Sequence, residues 1–403
     1  MRPRKAKNII MVHNQQPIKK EGRSLKLIHL ADLHLGKRVN EFPMIEDQKH
    51  ILGEILRIID DEKPDGIMIA GDVYDKSIAS TDAIKLFEDF LMQIAERKIK
   101  TYIISGNHDS AERLSFGSKF IEKSDIYIAR AYNGEEPLKP YTLSTGGVSV
   151  DIYMLPFIKP ADVRNAFSEK GIELDSYTDM MKAVIDEAAP DPTHFNILIA
   201  HQFITGGVRS DSEEISVGGL DNIDADVFAP FDYVALGHLH GPQKVSRDTI
   251  RYSGSPLKYS FSEEHQNKSV TIVEIESKDD ISIRTTDLKP LHDLRTIKGT
   301  YEDLTNKEKI NGAATDDYIQ AVLTDEEDVP DAVGKLRRFY PNLMHLKYDN
   351  TRTRVNQELS DEVDVDSKSP LELFEELYQK INNQPMNEDQ RSLASSLIEK
   401  IWG

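Results

Sequence analysis

The chain has 403 residues, of which 39% are hydrophobic, and its formal net charge is −19. This length exceeds what one hydrophobic core usually supports, so we expect two or three domains. No apolar run approaches the ~20 residues of a membrane span, which indicates a soluble protein. The absence of cysteine excludes disulfides and thiolate chemistry and is typical of the cytoplasm, while the acidic charge weakens, without excluding, a nucleic-acid partner.

The first 24 residues form a basic segment that differs from the rest of the chain. Its only apolar run, residues 9–12, is far too short for a signal peptide. We therefore expect residues 1–24 to be a disordered basic extension, with a DNA-binding arm as the alternative. The pattern of a folded domain begins at Leu25.

Short apolar runs alternate with longer helical patterns in the first half of the chain. Strands are predicted at 25–31, 66–70 and 101–105, and helices at about 42–62 and 79–97. This alternation indicates βαβ units and a sheet that is covered on both faces. Further along, the pattern predicts strands near 140–155, 195–200 and 232–236, helices between 161 and 188, and antiparallel strands from 244 to 288.

After Pro290 the pattern changes to that of a smaller module. Three strand-like runs, "LRTIKGT", "YIQAVLT" and "LMHLKYD", alternate with helical stretches at 301–309 and 329–339. We expect an α/β module at 291–350, an acidic linker at 351–368 and two amphipathic helices at 369–403. Capping boxes are predicted at Ser369 with Glu372 and at Asn387 with Gln390.

Five predicted strands run into a side chain that can bind a metal. In chain order these side chains are Asp32 and His34, then Asp72, then Asn107, His108 and Asp109, then His201, and finally His238 and His240. Each motif alone is more often a turn or a hydrogen-bonded core group, but five in succession indicate one shared site at the carboxyl edge of a sheet. Residues two apart in an extended segment point the same way, so we expect each D-x-H or H-x-H pair to face one side.

The ligand types narrow the choice of metal. Imidazole, carboxylate and amide groups without thiolate favour manganese, iron or zinc over calcium or magnesium. Seven candidate ligands are too many for one ion and fit two ions that share a carboxylate. Two ions about 3.5–4 Å apart are suited to hydrolysis at phosphorus.

The ordered set D-x-H, G-D, G-N-H-D, H and G-H-x-H resembles the calcineurin-like metallophosphoesterase superfamily. The stretches "LKLIHLADLHLGKR", "SGNHDSAERLSFG" and "YSGSPLKYSFSE" are also similar to the SbcD family, the bacterial nuclease subunits of SbcCD complexes. The resemblance runs from about residue 25 to the C-terminus. It implies an α/β fold in which helices flank a two-sheet β-sandwich, joined to a small α/β capping domain and a C-terminal helical tail that binds a partner.

The resemblance implies roles for the residues that match its motifs. One metal would be bound by Asp32, His34, Asp72 and His240, and the other by Asp72, Asn107, His201 and His238, with Asp72 bridging. His108 would face the scissile phosphate, and Asp109 would orient the His108 imidazole. Archaeal and eukaryotic relatives carry a second catalytic histidine where this chain has Asp75, which puts a positioning role for Asp75 in doubt.

The resemblance also implies an activity and partners. The expected enzyme uses two Mn²⁺ ions to cleave DNA, as a 3′-to-5′ exonuclease on duplex ends and an endonuclease on hairpins and single strands, in repair, recombination and replication. Residues 25–290 would form the nuclease domain and 291–350 the DNA-placing capping domain. Helices near 79–97 and 111–123 would form a homodimer within a heterotetramer, and residues 369–403 would bind the SbcC ATPase, which stimulates cleavage.

Three alternatives stay open at this stage. A small-molecule or cyclic-nucleotide phosphoesterase would use the same metal ligands but would not need the extra module and the helical tail. A non-catalytic DNA-end scaffold would not need His108. The two last helices could also fold back on their own chain instead of binding a partner.

Overall fold

The computed structural model describes residues 24–213, 222–310, 313–351, 353, 370–382 and 385–402. The predicted disordered extension lies outside the described residues except for Ser24, as does most of the predicted acidic linker. The chain divides into two compact units between Leu291 and His292, while the finer domain boundaries stay predictions. Within the described ranges, no helix has the length and apolar character needed to cross a bilayer.

The first unit is built from two six-stranded sheets and their connecting helices. Its elements are β1 (Leu25–Leu30), β2 (Arg38–Val39), β3 (Phe42–Pro43), α1 (Ile45–Glu62), β4 (Gly66–Ala70), α2 (Thr81–Glu96), β5 (Lys100–Ile104), α3 (Ala111–Leu114), α4 (Ser118–Ile121), β6 (Ile126–Ile128), β7 (Tyr141–Thr145), β8 (Val148–Leu155), α5 (Pro160–Glu169), α6 (Tyr177–Ala188), β9 (Phe195–His201), β10 (Tyr233–Gly237), β11 (Gln243–Val245), β12 (Arg247–Tyr252), β13 (Ser269–Ser277) and β14 (Asp280–Asp287).

The two sheets share one construction, with parallel strands in the centre. The first has the order β14-β13-β1-β4-β5-β6 and the second the order β11-β12-β10-β9-β8-β7. Strands β1, β4, β5 and β6 run parallel, as do β8, β9, β10 and β12. Because parallel strands end at a common edge, the loops after β1, β4 and β5 are neighbours.

A core of buried side chains lies between the two sheets. It joins residues of the first sheet, such as Leu27 and Tyr102, to residues of the second, such as Ile199 and Tyr233. A separate core lies between the other face of the second sheet and the helices α5 and α6. This arrangement confirms the two-sheet sandwich flanked by helices that the family resemblance implies.

The second unit begins with a small parallel sheet in the order β15-β16-β17. Its elements are β15 (Leu294–Gly299), α7 (Tyr301–Thr305), α8 (Lys307–Ile310), β16 (Tyr318–Leu323), α9 (Ala332–Leu336) and β17 (Leu343–Tyr348), followed by helices Pro370–Asn382 and Glu388–Trp402. The predicted capping box at Asn387 is confirmed, since Asn387 and Gln390 exchange backbone-to-side-chain bonds of 3.0 and 2.9 Å. The box predicted at Ser369 and Glu372 lies outside the described side chains.

One stretch differs from the predicted antiparallel run at 244–288. Strand β12 pairs with β10 in parallel, and residues 253–268 form no strand. The polar side chains of this segment explain the departure, because Ser253, Ser255 and Glu263 are buried and hydrogen-bonded. Ser253 donates to His29 of β1, Ser255 donates to Leu257 in the segment itself, and Glu263 accepts from Ser212. A regular strand would have turned half of these side chains toward the opposite face.

Candidate metal centre

The predicted site residues meet where the carboxyl ends of the two sheets come together. His201, the last residue of β9, donates its Nδ1 proton to the carbonyl oxygen of Ala70, the last residue of β4, at 2.8 Å. Gly237 ends β10 at the same point. A Cβ at Gly237 would lie 2.8 Å from His201 Nδ1 and 3.0 Å from the Ala70 carbonyl carbon, so only glycine permits this approach of the two sheets.

Backbone turns, not extended segments, aim the ligands after β1, β4 and β10. Asp32, His34 and Asp72 have φ of 53°, 45° and 48°, and His238 has φ of 104°. These left-handed conformations are uncommon for non-glycine residues. The sequence argument that an extended chain points Asp32 with His34, and His238 with His240, is therefore wrong, although all four side chains do reach the site.

Asp32, His34 and His240 form one half of the cluster. Each of the three offers a ligand atom within 4.8 Å of those of the other two. Nε2 of His34 lies 3.0 Å from Nε2 of His240 and 3.6 Å from Oδ2 of Asp72. The two imidazoles therefore present nitrogen atoms to the same small volume that the two carboxylates border.

Asn107, His201 and His238 form the other half. Oδ1 of Asn107 lies 3.0 Å from Nε2 of His201 and 3.0 Å from Nδ1 of His238. Oδ2 of Asp72 is 3.4 Å from Nε2 of His201. Asp72 thus faces both halves, and His238 and His240 belong to different halves.

Two of the buried imidazoles, those of His34 and His238, are in the neutral form that a metal ligand needs, whereas His201 is held in its charged form by Asp72. Burial lowers the pKa of His34 well below its ordinary value, and burial together with His201 lowers the pKa of His238 to about 3. Both imidazoles are therefore neutral at pH 7, as metal ligation requires. Burial opposes the charge on His201, but Asp72 outweighs it and raises the His201 pKa to about 9.

The two carboxylates of the cluster, Asp32 and Asp72, also test whether the site suits a metal ion. Asp32 is fully buried, and its Oδ2 has no hydrogen-bond partner among the described residues. Burial raises the Asp32 pKa well above its ordinary value, whereas the Asp72 pKa is held well below its own because His201 and His34 outweigh the effect of burial. A buried carboxylate oxygen without a partner is costly, and a divalent cation would satisfy it.

His108 and Asp109 follow Asn107 but have different surroundings. His108 is only half-buried, its backbone N–H donates to Asp72 Oδ1 at 2.9 Å, and its Nδ1 lies 3.0 Å from the carbonyl oxygen of Asp75. The Asp109 carboxylate instead accepts three backbone N–H groups, from Val73, Tyr74 and Gly106, at 2.9–3.0 Å. The expectation that Asp109 orients the His108 imidazole is corrected, because the Asp75 backbone makes that contact and Asp109 ties two loops together.

Several residues around the cluster were missed in the sequence analysis. Tyr259 donates its hydroxyl proton to the carbonyl oxygen of Leu33 at 2.6 Å, and Gln48 donates to that of His34 at 2.7 Å. Glu213 accepts the backbone N–H of His240 at 2.6 Å, and Glu263 lies behind the same imidazole. The stretch "YSGSPLKYSFSE" holds Tyr259 and Glu263, so its polar character was the available signal.

Comparison with known proteins identifies two families of domain along the chain. Residues 25–242 match the model of the calcineurin-like phosphoesterases, and residues 290–382 match the model described as the type 5 capsule protein repressor C-terminal domain. The chain is 36% identical to the D subunit of nuclease SbcCD from Staphylococcus epidermidis over 94% of its own length and 99% of the relative's. The same-named protein of Staphylococcus saprophyticus is also 36% identical, over 94% and 97%.

Solved structures with lower similarity were also found. TT1561 of Thermus thermophilus matches with a TM-score of 0.37 and 10% identity, covering 66% of this chain and 99% of that one. A dimetal phosphatase from Danio rerio matches with a TM-score of 0.37 and 9% identity, covering 65% and 98%.

The sandwich of two sheets and the histidine–carboxylate cluster at its edge are those of a calcineurin-like phosphoesterase, a class whose family model covers more than half of the chain. The alignment with the two SbcCD D subunits, at 36% identity over nearly the full length of both chains, narrows the class to one family. The chain belongs to the SbcD family of nuclease subunits. Membership in this family makes it a metal-dependent hydrolase of the nuclease type.

Proposed function

We propose that the chain is the DNA-cleaving subunit of a cytoplasmic SbcCD-type complex and hydrolyses phosphodiester bonds with two Mn²⁺ ions. It would act as a 3′-to-5′ exonuclease on duplex ends and an endonuclease on hairpins and single strands, stimulated by ATP through its partner, in repair, recombination and replication. The observation that carries the proposal is the buried cluster in which Asp72 faces two sets of ligands at once. The names of the relatives supply the nuclease class and the partner.

The residues that would hold the metals divide as the two halves of the cluster do. Asp32, His34 and His240 would bind one ion, Asn107, His201 and His238 the other, and Asp72 both. Two bound ions would supply Lewis-acid stabilisation of charge at phosphorus and a water of lowered pKa. Burial keeps the imidazoles of His34 and His238 neutral. It also excludes solvent from the cluster, since all six of its carboxylate and imidazole ligands are buried, namely Asp32, His34, Asp72, His201, His238 and His240.

His108 would act on the substrate instead of binding a metal. Its contact with the Asp75 carbonyl oxygen fixes the proton on Nδ1, which leaves Nε2 to approach a phosphate oxygen or the leaving group. A ring nitrogen of His108 also lies within 4.8 Å of possible ligand atoms of His34 and Asp72, so a role as a metal ligand is the competing interpretation. Changing His108 to alanine separates the two roles.

The test uses the purified His108→Ala protein and the unchanged chain. We expect the variant to lose hydrolysis of a DNA hairpin while retaining two equivalents of Mn²⁺, measured by elemental analysis after desalting. A fall to one ion or none would identify His108 as a ligand and contradict its assignment as a substrate-facing group. The matched control is His50→Ala, which changes a histidine of α1 that bonds to the carbonyl oxygen of Lys289, outside the cluster.

The substrate is tested on a fluorescent DNA hairpin beside bis-p-nitrophenyl phosphate, with Mn²⁺ and with EDTA. Cleavage of both, abolished by EDTA, is the expected result. Cleavage of the small ester alone, even after addition of SbcC and ATP, would favour a small-molecule phosphodiesterase and refute the DNA nuclease.

We also propose that a second copy of the chain covers the helices α2 to α4. Five large apolar side chains between residues 78 and 120 are exposed, namely Phe116 at 86%, Phe120 at 79%, Ile78 at 70%, Met92 at 57% and Ile84 at 47%. Exposed apolar side chains in such number are what a protein interface would cover. Light scattering should give the mass of a dimer for the unchanged chain and of a monomer for Phe116→Glu with Phe120→Glu, whereas the control Val208→Glu, at an exposed apolar residue elsewhere, should stay dimeric.

The C-terminal helices are proposed to bind SbcC, while residues 291–350 would form the capping domain that helps to place DNA and 351–368 a linker. Phe374, Leu377, Leu393 and Leu397 are exposed apolar residues at helical spacing, and a helix can bury such a face in a partner groove. Deletion of residues 367–403 should abolish SbcC binding in a pull-down and leave basal Mn²⁺-dependent cleavage. Retained binding would refute this assignment.

A further inference from the structure

The segment 253–268, between β12 and β13, encloses the imidazole of His240. Ser255 and Glu263 are fully buried, and Lys268 is 6% exposed. The backbone N–H of Ser255 donates to the carbonyl oxygen of His240 at 3.1 Å. A Cβ at Gly254 would lie 2.6 Å from that same oxygen, so the segment packs directly on the loop that carries the ligand.

Lys268 is the centre of this packing. Its ammonium group donates to Glu263 Oε2 at 2.6 Å, to the His240 carbonyl oxygen at 2.8 Å and to Ser255 Oγ at 2.9 Å. A buried ammonium requires a counter-charge, which Glu263 provides. The pair therefore fixes Glu263 in one position relative to the His240 loop.

The other oxygen of Glu263 faces the ring of His240. Oε1 lies 3.3 Å from Nδ1 of His240, and the Ser212 hydroxyl lies 2.7 Å from the same nitrogen. Nε2 of His240 points to the cluster, 3.0 Å from His34 Nε2. A carboxylate behind one ring nitrogen, with the other free for a metal, is the arrangement that orients a ligating histidine and raises its basicity.

The two halves of the cluster differ in what lies behind their ligating histidines. The Nδ1 proton of His201, in the other half, is held by the backbone carbonyl of Ala70 and not by a charged side chain. Loss of a side chain near His240 therefore leaves the support of His201 unchanged. The two metal positions should respond differently to substitutions in segment 253–268.

We propose that Glu263, fixed by Lys268, is a positioning residue for His240 and sets the metal affinity of the Asp32–His34–His240 half alone. This inference rests on the proposed dinuclear function. Outer-shell partners of this kind change metal affinity by about 10–100-fold when they are removed. Glu263 and Lys268 are thereby given a function in the metal centre through their contacts with His240.

The experiment compares Mn²⁺ binding of the full chain, Glu263→Gln and the double variant Glu263→Gln with Lys268→Met. The double variant removes the buried pair together and avoids an unpaired ammonium that could itself unfold the chain. Glu264→Gln, the same change one residue away, is the matched control. Isothermal titration calorimetry resolves the two equivalents, and manganese electron paramagnetic resonance distinguishes a coupled pair of ions from a single ion.

We expect both Glu263 variants to bind one equivalent about 10–100-fold more weakly and the other with unchanged affinity. At Mn²⁺ concentrations that saturate the unchanged chain, the variants should give the signal of a single ion. Two unchanged equivalents, or an equal loss at both positions with a lower melting temperature, would overturn the inference. If the unchanged chain itself took up fewer than two equivalents, the proposed dinuclear function would fail first.

Discussion

Substitution of Gly106 by alanine should displace the Asp72 carboxylate without replacing any of the proposed metal ligands. Gly106 lies in the loop after β5, and its Cα faces the turn that carries Asp72. A Cβ at this position would collide with Oδ1 of Asp72 and lie 2.5 Å from its backbone nitrogen and 2.7 Å from Cγ. The side chain of Asp72 can rotate away from the new Cβ. Its backbone nitrogen can move only if the whole left-handed turn at Asp72, with φ of 48°, moves with it.

The loss of unfolding free energy expected for Gly106→Ala follows from these distances. All three contacts are below the 3.0 Å that real Cβ atoms keep, and one involves backbone, so the two loops must separate. Overpacking of this kind costs about 1–3 kcal/mol of the free energy of unfolding. Displacement of Asp72 from both halves of the cluster should in addition reduce the stabilisation that Mn²⁺ provides.

The assay is urea unfolding followed by far-ultraviolet circular dichroism, in EDTA and in saturating Mn²⁺. Gly106→Ala should lower the free energy of unfolding by about 1–3 kcal/mol in EDTA and should gain less from Mn²⁺ than the unchanged chain. Gly53→Ala is the control, because nothing lies within 4 Å of its new Cβ in helix α1. It should raise the stability by about 0.5–1 kcal/mol.

Equal stability of Gly106→Ala and the unchanged chain in both conditions would refute this reasoning. A loss in EDTA with a full gain from Mn²⁺ would show that the loops relax while Asp72 keeps its place. In that case the close approach of the loops would matter to the fold and not to the metal centre.

Three further predictions concern stability. Burial lowers the pKa of His29 to about 3, so between about pH 3 and pH 6.5 the unfolded chain binds a proton that the folded chain does not. The free energy of unfolding therefore falls as the pH drops below about 6.5, by up to about 1.4 kcal/mol per pH unit. His29→Gln should flatten the slope of this free energy against pH, and an unchanged slope would contradict the prediction. Asp109→Asn removes a carboxylate from three backbone donors and should cost about 1–3 kcal/mol in urea titrations in EDTA, with full stability as the contrary result. Mn²⁺ at 100 times the dissociation constant of each site should raise the unfolding free energy by about 2.7 kcal/mol per bound ion, and no rise would mean that the folded cluster does not bind it.

The gathering of the site residues could be predicted from the sequence because it depends on topology. Parallel strands that each end in a polar residue bring those residues to one edge, whatever the details of the loops. Asp32, Asp72 and His201 illustrate this, since each closely follows or ends a central strand. The βαβ units of the fold could be predicted for the same reason, whereas the two-sheet sandwich was implied by the family resemblance.

The local geometry could not be predicted in the same way. Left-handed turns at Asp32 and His34 are decided by bonds between loops, such as those from Asp32 N to Gly71 O and from His34 N to Asp72 O, which join residues far apart in the chain. The partner of Asp109 was also beyond sequence reasoning, because a carboxylate next to a histidine can bond either to the ring or to nearby backbone groups. Only the positions of the loops decide between them.

The position of β1 in the middle of the first sheet has a consequence during protein synthesis. This strand, which carries Asp32 and His34 at its end, pairs with β4 on one side and with β13, Ser269–Ser277, on the other. A nascent chain that has left the ribosome only as far as residue 200 holds only part of the ligand set and an open sheet edge. The proposed ligand set is thus completed only when His240 has been translated, and β1 finds its second partner only later, at β13. We therefore expect a chain that ends before residue 240 to lack the dinuclear centre.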